Sequence, residues 1–147
     1  MSDTIVALAT PTGRSGIGVI RLSGSDALAI TARLVGDPGF EPKPRFAYLK
    51  QLQDPVSREI IDEAIVTYFK APHSFTGEDV VEISGHGSPV SLRHVIDICL
   101  RLHARMSEAG EFSLRALSNG RMNLAEAEAI RDQIGRASCR ERVCCKV

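Results

Sequence analysis

The sequence predicts an α+β domain with a mixed or antiparallel sheet and packed helices. Short runs rich in β-branched residues alternate with longer runs of helical period, but the alternation is not the regular βαβ repeat of a parallel sheet. Turn signals built on Gly, Pro and Asn separate the runs. Ile5–Ala9 reads as a short strand, followed by the turn-rich "TPTGRSG", and "IGVIRLS" (Ile17–Ser23) reads as a second strand. "GSDALAITARLVG" switches to helical period, with Leu28, Ile30, Thr31 and Leu34 on one stripe and Gly36 as its stop. "DPGFEPKPR" is loop and "FAYLKQL" a strand.

"EIIDEAIVTYFKAP" predicts a strand with Ala64, Val66 and Tyr68 on one face and Ile65, Thr67 and Phe69 on the other. Both faces are largely apolar, which places it centrally in its sheet. "HSFTGED" turns on Gly77, and "VVEIS" (Val80–Ser84) is the next strand. "SPVSLRHVIDICLRLH" predicts a helix with Ser88 as N-cap, Pro89 in the first helical position, and Leu92, Val95, Cys99 and Leu102 on one face. "EAGEFSLRALSNG" predicts a short helix closed at Asn119-Gly120. "NLAEAEAIRDQI" starts another, with Asn123 as N-cap and Glu126 three residues on. After Ile134 the period dissolves into "GRASCRERVCCKV", read as a non-native or disordered tail. No internal repeat is visible.

The 147 residues are enough for one domain with its own core. Lys plus Arg and Asp plus Glu are 18 each, so net charge supplies no general attraction to nucleic acid or anionic membrane. Trp is absent and aromatic residues are 5%, which argues against a base-stacking platform. The apolar run Ile5–Ala9 is too short for a signal-peptide core or a membrane span, and the reading is a cytoplasmic protein. Cys99 stands alone, while Cys139, Cys144 and Cys145 fit neither a zinc knuckle nor a disulfide framework, so no metal is expected.

Each of two strands carries one central charge. Arg21 shares a face of "GVIRLS" with Val19 and Ser23, and Glu82 shares a face of "VVEIS" with Val80 and Ser84. A carboxylate in a half-buried strand costs free energy unless it is paired. The partner is either the opposite charge, as a cross-strand ion pair, or a polar ligand gripped by both. "SGHGSPV" sets Gly85 and Gly87 ahead of a helix N-terminus, a weak anion signal, and His86 reads as a hydrogen-bonded turn histidine rather than a general base. "TPTGRSGIG" matches neither G-x-x-x-x-G-K-[ST] nor G-x-G-x-x-G, and no phosphate loop occurs elsewhere, so the chain alone is not expected to hydrolyse a nucleotide. Arg121 in "NGRMNL" reads on its own as solvated surface.

Taken together, "DTIVALATPTGRSGIGVIRLSG", "FTGEDVVEISGHGSPV" and "GEFSLRALSNGRMNLAEAEAI" resemble the N-terminal domain of the MnmE/TrmE family of tRNA modification GTPases, from about Asp3 to Ile134. The resemblance implies a fold similar to the folate-binding domain of aminomethyltransferases. It implies a folate-binding N-terminal domain over 1–120, the start of a helical domain over 121–134, and the tail over 135–147. It further implies a bound tetrahydrofolate carrying a one-carbon unit (formyl or methylene) and homodimerisation through this domain. GTP, magnesium and potassium belong to a GTPase domain that the chain lacks. The family works with a flavoprotein of the MnmG/GidA kind to place an aminomethyl or carboxymethylaminomethyl group on carbon 5 of the wobble uridine of tRNA. By the same resemblance the folate contacts fall on Arg21, Glu82 and Arg121. Arg121 stands where the family often has Lys, Asn123 where it usually has Asp, and Ala109 where it often has Pro. "CCKV" is not the family's C-terminal Cys-x-Gly-Lys motif, and nothing carries over to it. The alternatives are a dimerisation module without activity of its own and, ranked last because such enzymes are longer, a stand-alone aminomethyltransferase.

Overall fold

A computed structural model describes residues 3–10 and 15–129. The predicted residues 130–134 of the last helix, the tail 135–147 and part of the glycine-rich 10–18 segment lie outside the described residues. Strands β1 (Ile5–Leu8), β2 (Ser15–Ser23), β3 (Ala47–Gln53), β4 (Ile60–Phe69), β5 (Val80–Gly87) and β6 (Arg105–Met106) form a six-stranded sheet in the order β3-β4-β5-β2-β1-β6. Every pairing is antiparallel except β1 with β6, so the sheet is mixed, as expected for the α+β class. Helices α1 (Ala27–Leu34), α2 (Pro89–Arg101) and α3 (Glu111–Ser118) complete it.

Alternation along the strands divides the sheet into two unlike faces. Ile20, Leu22, Ala64, Val66, Val81 and Ile83 point to one side and are buried there with Ile30 and Leu34 of α1 and Leu92, Val95, Ile98 and Cys99 of α2. Burial pushes the Cys99 thiol up to about 12, so it stays protonated and packs as a small hydrophobe. The other face carries the row Ala7, Arg21, Glu82, Thr67, Ala47, each residue opposite the next in register. At one end of this face Ile5, Ser23 and Val80 are also buried, because the turn 74–78 closes over them: the Ser23 and Thr76 hydroxyls lie 2.7 Å apart. The rest is open, with Ile17 and Leu49 each 62% and Ile65 39% exposed.

The elements follow their local signals, with four differences. The Ile65, Thr67, Phe69 face of β4 is half-open rather than buried: β4 is central in pairing, but helices cover only its other side. β5 runs on to Gly87, so "SGHG" is strand, since pairing with β2 continues through Gly85 and His86. Ser88 occupies the N-cap of α2, but its hydroxyl makes no cap bond and Pro89 alone supplies the start signal. β6 is an addition, created by pairing with Ile5 and Val6. Residues 124–129 are helical, and the Asn123 side chain accepts the Glu126 amide at 2.8 Å, as the capping pattern predicts. Among the described residues no helix is long and apolar enough to cross a membrane.

Gly24 joins β2 to α1 at φ +139°, and a Cβ there would lie 2.6 Å from the Thr4 Cα. Thr4 cannot retreat, because its hydroxyl accepts the Asp26 amide at the start of α1 at 3.0 Å. Gly24→Ala is expected to cost about 2–4 kcal/mol in urea denaturation, from backbone strain and overpacking together. Gly18→Ala, whose nearest neighbours would be side-chain atoms of Leu92 rather than backbone, is expected to cost roughly half as much.

Candidate functional site

Register brings Arg21 and Glu82 together as directly opposed residues of β2 and β5. Nε and a terminal nitrogen of Arg21 donate to the same carboxylate oxygen, Oε1, at 3.1 and 2.9 Å. The other oxygen, Oε2, has no partner among the described residues. Both side chains are about a third exposed or less, so the pair contributes only about 0.2–1 kcal/mol to stability. Its value is orientation. The guanidinium also lies against two phenyl rings, 5.4 Å from the Phe75 centroid and 5.9 Å from that of Phe112. Phe75 belongs to the turn 74–78 and Phe112 to α3, so the arginine is fixed by three elements at once.

A cleft of about 340 Å³ opens beside Arg21, between β1, the 107–110 loop and the start of α3. Ala7, Leu8, Phe75 and Phe112 supply its apolar wall, and Arg21 and Ser107 are among its polar groups. The size is at the low end of the range for small-molecule sites. Glu82 does not line the cleft; it stands on the far side of Arg21 and steers it. The smaller internal void under Leu92 and Val95, about 10 Å³, holds no more than one water and is no ligand site.

Arg121, the third predicted residue, is exposed and makes no direct contact with the Arg21–Glu82 pair. Its Nε donates to the Ser74 carbonyl at 3.0 Å, so it holds the turn that carries Phe75. His86 is hydrogen-bonded, as predicted, with Nδ1 2.7 Å from Asp62 Oδ1. Gly85 has a packing reason, since a Cβ there would lie 2.7 Å from the Asp62 carboxylate.

Sequence reasoning missed the ionic hub behind the cleft. Arg115 is buried in α3 and donates to the Asp3 carbonyl (2.7 Å), Asp3 Oδ1 (2.9 Å), Glu78 Oε1 (2.9 Å) and Glu111 Oε2 (3.3 Å). Arg105 bonds Asp3 and Glu111 from the other side. The i,i+4 spacing of Glu111 and Arg115 was the available signal.

Fold and site together define an α+β domain that presents an aromatic-flanked, carboxylate-steered arginine to a cleft on the partly uncovered face of its sheet. A family profile described as "GTP-binding protein TrmE N-terminus" matches residues 4–121. The chain belongs to this family. Curated relatives agree. A tRNA modification GTPase MnmE of Aromatoleum aromaticum is 56% identical over 134 residues, 91% of this chain and 29% of the relative. Proteins of the same name from Koribacter versatilis and Xylella fastidiosa are 48% and 50% identical, over 91% and 95% of this chain and 30% of each relative. The chain thus spans about three tenths of the length of these relatives.

Acid should loosen the domain along predictable lines. Hydrogen bonding from Arg105 holds the Asp3 carboxyl at about 2, and the Val56 amide and then Arg101 hold that of Asp54 at about 2, both below the ordinary 3.8. A depressed carboxylate stabilises the fold above its unfolded pKa and loses that contribution as pH falls through the folded value. Stability is therefore expected to fall between about pH 4 and pH 2, and Asp54→Asn to flatten part of that slope in denaturation midpoints measured across the range. The His86 pKa, raised by its bond to Asp62, has the opposite sign: its contribution is complete below 6.5 and lost as pH rises through the raised value.

Proposed function

We propose that this chain is the folate-binding, dimer-forming domain of a tRNA modification GTPase. The cleft beside Arg21 would receive a tetrahydrofolate carrying a one-carbon unit. The observation that carries this reading is the arginine itself: partly exposed, held by Glu82 and lying against Phe75 and Phe112 at a cleft with both apolar and polar walls. A reduced folate offers what this arrangement takes. The face of its conjugated pyrimidinone ring suits phenyl walls, and its carboxylates and carbonyls suit a guanidinium. Glu82 would act through Arg21, whose guanidinium it orients from outside the cleft. Arg121 would act from the turn at 74–78, either on the ligand or by holding Phe75. The fold kinship with the aminomethyltransferase folate domain belongs to the same proposal, as does the division at residue 120, where Gly120 at φ +71° follows the end of α3.

The relatives are named for tRNA modification and GTPase activity, and both come to this chain as part of the proposal. The whole protein, placed in the cytoplasm, would act with a flavoprotein partner on the wobble uridine of tRNA, using GTP with magnesium and potassium in a GTPase domain. One feature favours assembly as the domain's second role. Ile17, Leu49 and Ile65 stand exposed on the uncovered sheet face, and a second copy placed there would bury them.

Isothermal calorimetry with formyltetrahydrofolate tests the ligand. Glu82→Ala, which frees Arg21 from its fixed orientation and so weakens the charge-assisted bond Arg21 would make, is expected to weaken binding about 10- to 100-fold while lowering stability by no more than about 1 kcal/mol. Equal heats from both proteins would refute the site. Sedimentation with and without the folate separates a binding domain from a module that only assembles: a dimer indifferent to folate, with no heat of binding, supports the second.

A further inference from the structure

We propose that Arg115 is a positioning residue for the cleft. It docks α3 onto the turn 74–78 and so sets the gap between Phe112 and Phe75 in which the Arg21 guanidinium lies. The ligand consequence of this assignment rests on the cleft being a folate site; the geometric part does not.

Arg115 lies one helical turn after Phe112 on α3, and its side chain is 10% exposed. Two of its nitrogens make four hydrogen bonds to three separate segments: Asp3 ahead of β1, Glu78 in the turn, and Glu111 at the start of α3. Glu78 is in turn tied to β2, accepting the Ser23 hydroxyl at 2.9 Å. The segment that follows α3 grips the turn twice more, through Asn119 Nδ2 to the Thr76 carbonyl at 2.7 Å and Arg121 Nε to the Ser74 carbonyl at 3.0 Å. Residues 115, 119 and 121 thus hold residues 78, 76 and 74, and Phe75 sits between the last two anchors.

A buried charge cluster is a weak device for raw stability, since well-packed apolar residues often serve as well. What an apolar cluster lacks is angle. A planar guanidinium fork fixes its acceptors in one plane at set distances, and lysine, a point charge with rotatable donors, does not. The elements fixed here carry the two rings that flank Arg21. Slack in this joint would open the ring gap without unfolding the sheet, whose core lies on the other face.

The test uses the Arg21 Nε–H resonance of the ligand-free chain, identified by its loss in Arg21→Lys. Lying against two ring faces, this proton is expected to be displaced by ring currents from the position of free arginine. In Arg115→Lys, at a temperature where circular dichroism shows the protein folded, the resonance is expected to move toward the free position, as it does in Phe112→Leu. Formyltetrahydrofolate affinity is expected to fall by about tenfold. A folded Arg115→Lys with the resonance and affinity unchanged would reduce Arg115 to a structural ion pair and overturn the proposal. Should Arg115→Lys not fold, Asn119→Ala, which removes one exposed anchor of the same turn, must move the resonance in the same direction, and no movement there overturns the proposal equally. Absence of folate binding by the wild-type chain, with the resonance shifting as described, would remove the ligand reading and leave the positioning role standing.

Discussion

The pairing register of β1, β2 and β5 is the constraint on which the rest depends. It places Ala7, Arg21 and Glu82 in one row across the sheet, on the face that α1 and α2 leave uncovered. A slip of one residue would turn every side chain of β2 to the other face, putting Arg21 into the core and Ile20 and Leu22 into water. Burial of Ile20 and Leu22 therefore enforces the position of the arginine. The hydrophobic core thus fixes a polar site that it does not touch.

On that row the energetics divide by role. The Arg21–Glu82 pair is too exposed to matter much to stability, and so is free to be used for orientation. Stability comes from the aliphatic layer beneath the sheet and from the junctions that hold its edges, such as Gly24 against Thr4 and Asp54 against Arg101. Between them lies the ionic joint of Asp3, Glu78, Arg105, Glu111 and Arg115, which carries α3 and with it one wall of the cleft.

Much of this was legible in the sequence because it is local. Strand alternation in "IGVIRLS" and "VVEIS" showed both the elements and the misplaced charges, and Gly36, Gly77 and Gly120 marked turns that the chain makes at φ +69°, +81° and +71°. What was not legible is long-range. Two-residue β6 exists only because Arg105 and Met106 run beside Ile5 and Val6. Nothing local in the turn and the helix that hold Phe75 and Phe112 shows that folding carries both rings to Arg21. Arg115 lies within a short predicted helix, and its burial follows from contacts with residues 3 and 78 that no local pattern shows. The open side of β4 escaped for the opposite reason: its apolar pattern is that of a covered face, and the described chain covers only one.

The proposed folate site and the geometry of the cleft meet at one atom group, the Arg21 guanidinium. The most direct measurement is a crystal structure of the chain with formyltetrahydrofolate at saturation. The account predicts the ligand in the cleft, within hydrogen-bonding distance of Arg21, with the phenyl rings of Phe75 and Phe112 still flanking the arginine. A folate bound away from Arg21, or an unchanged Arg21–Glu82 pair beside an empty cleft, would contradict it.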